Sequence, residues 1–86
     1  MEHQTLIKRL KYRSWHRGCK ETDLILGNFS DTELEKMSQS QLQVYEALLE
    51  EDDAHIWDWL NGKAAPTNPA YLPLLEILKG YGVCGN

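Results

Sequence analysis

The sequence predicts an all-α fold: one small domain, residues 1–86, built as a bundle of five or six short helices. Three observations carry that prediction. Apolar residues recur at helical spacing along most of the chain, signals that start and stop helices punctuate it, and no stretch alternates apolar and polar residues as a half-buried strand does. Eighty-six residues provide for a single small core.

The first helix places His3, Leu6, Ile7, Leu10 and Ser14 on one side, and Gly18 stands where a left-handed cap would end it. A second, short helix is expected from about Lys20 to Gly27, burying Leu24 and Ile25. Ser30-Asp31-Thr32-Glu33 then has the form of a capping box and predicts a fresh start, with Leu34 and Met37 as the apolar positions. Ser38 followed by Gln41 repeats the signal and opens a helix that buries Leu42, Tyr45, Leu48 and Leu49. The acid cluster Glu50-Glu51-Asp52-Asp53 ends that helix and stands at the favourable, N-terminal end of the next, which runs from Asp53 to Asn61 with Ile56, Trp57 and Leu60 as its apolar residues. Gly62 stops it, and residues 63–69 read as a loop. A last helix begins between Tyr71 and Pro73, where proline costs no intrahelical bond, and carries Leu74, Leu75, Leu78 and Tyr81. Residues 79–86 read as a loose tail.

Net charge is −4, but the charges are segregated. Residues 1–20 hold six basic side chains against Glu2 alone, a balance of +5, and residues 21–86 hold three basic and twelve acidic, a balance of −9. A basic arm on an acidic body calls for a physical reason. The arm resembles a transit peptide in its arginines, but it runs straight into patterned sequence and is read as part of the fold. Cys19 and Cys84, with no secretory apolar run before them, point to a reducing compartment: the bacterial cytoplasm first, the mitochondrial matrix second. No apolar run approaches the roughly 20 residues that span a bilayer, so no membrane insertion is expected.

A search for chemistry finds no catalytic constellation. His16, Cys19 and Glu21 lie close together, but no second Cys or His completes a ligand spacing, so no metal is expected. Cys19 with His16 fixes no geometry for a thiol and its base, and Gly80-x-Gly82 neither follows a strand nor opens a helix. The first helix is more informative. Lys8, Lys11, Tyr12 and Trp15 share the face opposite the Leu6, Ile7, Leu10 stripe, a mixture of aromatic and basic groups typical of interfaces and of nucleic-acid platforms. Packing of Trp15 against the body is an equal alternative. Arg17-Gly18 likewise reads either as a plain helix cap or as an exposed corner where Gly18 lets another backbone come close.

The stretch Tyr12 to Leu24 resembles the signature of the succinate dehydrogenase assembly factors called flavinators, the SdhE/YgfY family of bacteria and its mitochondrial counterpart. The family's mark is Arg-Gly-x-x-Glu, here Arg17, Gly18 and Glu21, with an Asp two residues on, here Asp23. A second block, Tyr45 to Asp53 followed by Asp58-Trp59-Leu60, is similar to the family's leucine-pair, acidic-pair and Trp-Leu stretch. The resemblance spans about residues 6–62, in order and at matching spacing. It implies a helical protein that is not itself an enzyme. Such a protein binds the flavoprotein subunit of succinate dehydrogenase, in bacteria also that of fumarate reductase, and promotes covalent attachment of FAD to a client histidine. The client's imidazole adds to the flavin 8α-methyl carbon, and the helper assists by holding the attack geometry. FAD then belongs to the client, and this chain holds no cofactor stably. On this resemblance Arg17, Gly18, Glu21 and Asp23 form the client-binding site, widened by Lys8, Lys11, Tyr12 and Trp15. The free protein is expected to be a monomer with no nucleic-acid partner. The alternative is a small helical nucleic-acid binder, or an antitoxin-like regulator, that uses the basic helix. The charge split is then expected to form a two-signed docking surface centred on Gly18.

Overall fold

The computed structural model describes residues 2–18 and 20–82. Five α-helices follow one another: α1 (Glu2–Trp15), α2 (Lys20–Glu33), α3 (Gln39–Leu49), α4 (Asp53–Leu60) and α5 (Leu72–Gly82). Single 3-10 turns, Leu34–Lys36 and Pro69–Tyr71, precede α3 and α5. The all-α prediction holds. Expectations for Cys19, for Cys84 and for the tail beyond Gly82 lie outside the described residues. Residues 79–82, read from sequence as tail, are the last turn of α5.

Helix α1 buries Ile7, Leu10 and Ser14 and leaves His3 exposed. Four residues later the chain reverses at Gly18, whose φ of +98° is the left-handed conformation that glycine adopts without steric cost. Helix α2 then packs back along α1, with Trp15 opposite Asp31 and Lys11 opposite Glu35, so the two form an antiparallel hairpin. Helices α3 and α5 close on α1 and α2 respectively, and Leu10, Leu26, Phe29, Leu34, Leu42, Tyr45, Leu48, Ile56 and Leu78 are fully buried between them.

The sequence misjudges α2. It runs unbroken to Glu33 through Gly27 and the supposed capping box. Gly27 ends nothing, because its bare Cα is the floor on which the Trp15 indole lies: a Cβ there would sit 2.2 Å from Trp15 Cδ2. Ser30 is buried and donates back to the Gly27 carbonyl at 2.7 Å, so its hydroxyl serves the helix it is in and starts no new one. Leu24, expected in the core, is exposed on the outer face of α2, and Ile25 with Leu26 takes the buried place. The Ser38–Gln41 signal is correct. Gln41 N–H donates to Ser38 Oγ, and Ser38 N–H donates to Gln41 Oε1 at 2.8 Å, a reciprocal capping box. In α4 the buried tryptophan is Trp59, packed 5.7 Å from the Tyr71 ring, while Trp57 faces outward.

One core contact is pH-sensitive. The Tyr45 hydroxyl lies 2.5 Å from Ser14 Oγ and also donates to the Leu26 carbonyl. Burial pushes its pKa well above the usual tyrosine value, and the opposing pull of the Ser14 hydrogen bond and the Arg17 charge is smaller. Once the pH passes about 10, an unfolded tyrosine releases its proton and the folded Tyr45 keeps it. The unfolded state then binds fewer protons, so stability falls with rising pH, by up to about 1.4 kcal/mol per pH unit for this group. Urea unfolding is expected to show the midpoint dropping between about pH 9 and about pH 11, with a shallower drop for Tyr45→Phe.

Candidate functional site

Of the sequence-predicted residues, Arg17, Gly18, Glu21 and Asp23 gather at the corner between α1 and α2, while Lys8, Lys11, Tyr12 and Trp15 lie back along α1; they do not play one role. Arg17 turns inward. Its side chain is 11% exposed, and its three nitrogens each donate to a different acceptor beyond α2. Nε donates to Asp53 Oδ1 at 2.6 Å, Nη1 to the Leu49 carbonyl at 2.6 Å and Nη2 to the Glu51 carbonyl at 2.5 Å. Leu49 ends α3 and Asp53 begins α4, so the planar guanidinium satisfies carbonyls that the helix end leaves without intrahelical partners. It also places a positive charge at the negative end of the α3 dipole. Its backbone N–H donates to Asp23 Oδ1 at 2.8 Å, which closes the corner from the first turn of α2. Arg17 and Asp23 therefore set the position of the corner relative to the α3–α4 junction.

Gly18 and Glu21 turn outward. Both are exposed, and a Cβ built on Gly18 meets nothing within 4 Å. The φ of Gly18 fits the cap reading, and the open space above it leaves its backbone exposed. The exposed-corner reading also called for Arg17 at the surface, and in that part it is corrected, because Arg17 is turned inward. Beside it, Glu21 of α2 and Asp53, Ala54 and Trp57 of α4 line a shallow hollow of about 340 Å³. Trp57 is 37% exposed there, and Leu24, one turn after Glu21, is 48% exposed. Neither was singled out as a surface residue from sequence, because apolar type and helical spacing point such residues to the core.

The α1 residues divide in the same way. Trp15 is half-buried on Gly27, and its Nε1 reaches Asp31 Oδ1 at 3.4 Å, which is the packed alternative. Lys8 is exposed, and Lys11 is half-buried beside Glu35. Tyr12 is 65% exposed and stacks on His16 with ring centroids 4.1 Å apart and planes at 15°. His16 Nδ1 faces the Tyr12 carbonyl at 2.9 Å, so this nitrogen carries the proton.

The charge segregation has a structural cause. Arg9, Lys11, Arg13 and Arg17 of the basic arm pair with Glu46, Glu35, Glu50 and Asp53 of the acidic body. Four of the arm's six cations thus face their counter-charges within the molecule, and the +5 does not form an open basic patch of the kind that binds nucleic acid. The two-signed docking surface centred on Gly18 is corrected in one respect: the Arg17 cation is directed into the fold, and the exposed charged neighbours of Gly18 are Lys20 and Glu21.

The family model for the flavinator of succinate dehydrogenase matches residues 8–81. This chain belongs to that family. The matched span takes in all eight residues of the corner and of the outer α1 face. Among curated relatives, a protein named succinate dehydrogenase assembly factor 2, mitochondrial, from Dictyostelium discoideum is 41% identical over 78 residues, covering 91% of this chain and 55% of the relative. Its Schizosaccharomyces pombe namesake is 43% identical over 58 residues, 67% of this chain and 42% of the relative. A bacterial relative, FAD assembly factor SdhE of Acetobacter pasteurianus, is 35% identical over 69 residues, 80% of this chain and 63% of the relative. The chain spans about half the length of these relatives. No helix among the described residues is long and apolar enough to cross a membrane.

Proposed function

We propose that this chain is an assembly factor that binds the flavoprotein subunit of succinate dehydrogenase and promotes covalent attachment of FAD to it. The observation that carries the reading is the corner within the matched span. Gly18 offers bare backbone to the outside, exposed Glu21 stands one helical turn away, and Arg17 anchors both to the rest of the bundle. A rigid corner of this kind can seat against a client and hold two of its parts in one arrangement. Fixing a histidine and a flavin carbon at attack distance removes orientational freedom, and orientation alone accounts for several kcal/mol of a barrier, about 7 to 11 in the best intramolecular cases. The reading needs no catalytic group on this chain. FAD stays with the client, this chain is not an enzyme, and the free protein is a monomer. The flavoprotein of fumarate reductase is a second client by the same chemistry. The bacterial cytoplasm is the first compartment and the mitochondrial matrix the second, in keeping with relatives of both kinds.

Co-purification tests the binding step. The wild-type chain is expected to retain the succinate dehydrogenase flavoprotein, and a Gly18→Arg variant to lose it. A companion variant separates docking from folding. Gly18→Ala places a Cβ in open space at a φ that L-residues rarely adopt, so it is expected to cost about 1 to 2 kcal/mol in urea unfolding, with the helical circular dichroism intact. A Gly18→Arg chain that is folded yet releases the client assigns the loss to the docked face. An unfolded one returns Gly18 to a capping role alone.

A further inference from the structure

The hollow between α2 and α4 has a composition that the corner motif does not explain. It is lined by Glu21, Asp53, Ala54 and Trp57, and of its two acidic residues Asp53 is already bonded to Arg17 Nε at 2.6 Å. An indole left 37% exposed is unusual beside Trp59 of the same helix, which is 5% exposed in the core. Tryptophan presented in this way is the residue type most enriched where binding energy concentrates. The surrounding charge is predominantly negative, although the exposed Lys20 stands next to Glu21. From residue 50 to residue 58 the chain carries Glu50, Glu51, Asp52, Asp53 and Asp58 and no Lys or Arg. The neighbouring Arg17 does not offset this at the surface, because its three nitrogens point to Asp53 and to the Leu49 and Glu51 carbonyls.

An aromatic face beside carboxylates is complementary to a cation that carries some apolar surface. A guanidinium or ammonium group gains from the negative face of an indole and from a carboxylate at once, and the methylene stem of the same side chain covers the apolar ring edge. We propose that this hollow receives an arginine or lysine side chain of the client protein, stacked on Trp57 and paired with Glu21. The proposal rests on the assembly-factor reading and adds to it a binding residue, Trp57, and the chemistry of the client segment that docks there. Arg17 acts as a positioning residue for this hollow, because it fixes the start of α4 against the corner that carries Glu21.

The test is the affinity of the succinate dehydrogenase flavoprotein subunit for the wild-type chain and for Trp57→Leu, Trp57→Phe and Glu21→Gln, each measured at low and at moderate salt. Trp57 and Glu21 are exposed, so the variants are expected to keep the wild-type melting temperature within a few degrees. Trp57→Leu is expected to weaken binding about tenfold, and Trp57→Phe, which keeps a ring, by less. Glu21→Gln is expected to weaken binding at low salt and to flatten the dependence of affinity on salt. Wild-type affinity in Trp57→Leu would overturn the proposal. So would a loss in Trp57→Leu with the same salt dependence in wild type and Glu21→Gln, since that pattern marks an apolar occupant. A wild-type chain that fails to bind the flavoprotein at all counts against the assembly-factor reading itself, which keeps the two failures distinct.

Discussion

Replacement of Arg17 by alanine is expected to lower the unfolding free energy by about 3 kcal/mol, a large share of the stability of a domain this size. The substitution removes three charge-assisted hydrogen bonds and leaves the Leu49 carbonyl, the Glu51 carbonyl and the Asp53 carboxylate to find water at a half-buried junction. Hydrogen bonds to charged groups are worth about 1.5 to 3 kcal/mol each, but Asp53 is 26% exposed and can rehydrate, so the sum falls short of three full bonds. Arg17→Lys keeps the charge and loses the fork. A single ammonium on a flexible stem cannot hold the geometry of three acceptors spread along the α3–α4 junction, so lysine is expected to recover less than half of the loss. Urea unfolding followed by circular dichroism measures both. Equal stability of wild type and Arg17→Ala would show that the guanidinium does not bind the α3–α4 junction in solution.

Gly27→Leu is expected to be as damaging for a different reason. The two helices of the hairpin meet at Trp15 and Gly27, where even a Cβ would fall 2.2 to 2.5 Å from three indole carbons. A ring cannot yield at that distance as the tip of a flexible side chain can, so the indole must leave its seat or α1 must move away from α2. Overpacking of this kind costs about 1 to 3 kcal/mol, and four added carbons place leucine at the upper end, near 3. In helix propensity alone the change is favourable, by about 0.8 to 1 kcal/mol, so a net loss carries the mark of the tertiary contact. A double-mutant cycle makes the point directly: in a Trp15→Ala background Gly27→Ala is expected to change from destabilising to neutral or stabilising.

These two contacts also explain where the sequence is legible and where it is not. Helix α3 can be read residue by residue, because its signals are local: Ser38 and Gln41 cap each other, and Leu42, Tyr45, Leu48 and Leu49 repeat on one face. Helix α2 is misread because its local signals are overruled from a distance. Gly27 looks like a stop, and only the indole twelve residues earlier shows that it is a packing surface. Ser30 looks like a cap until the Gly27 carbonyl claims its hydroxyl. The candidate site divides along the same line. Gly18 and Glu21 stand where the motif suggests, exposed at the corner, because a left-handed glycine after a helix has a local signature. The partners of the Arg17 side chain lie 32 to 36 positions away, and no spacing rule reaches them. Trp57 and Trp59 are two residues apart on a short helix, and both lie within reach of the Ile56 face. Only the tilted ring contact of Trp59 with Tyr71 decides which of them is core.

The central claim, that this bundle aids flavin attachment by docking on a client, is tested most directly by covalent flavin on the succinate dehydrogenase flavoprotein, made with and without this chain and read as fluorescence of the denatured client. The account predicts more covalent flavin when the wild-type chain is present and no gain with a folded Gly18→Arg variant. Equal covalent flavin with and without the wild-type chain would contradict it.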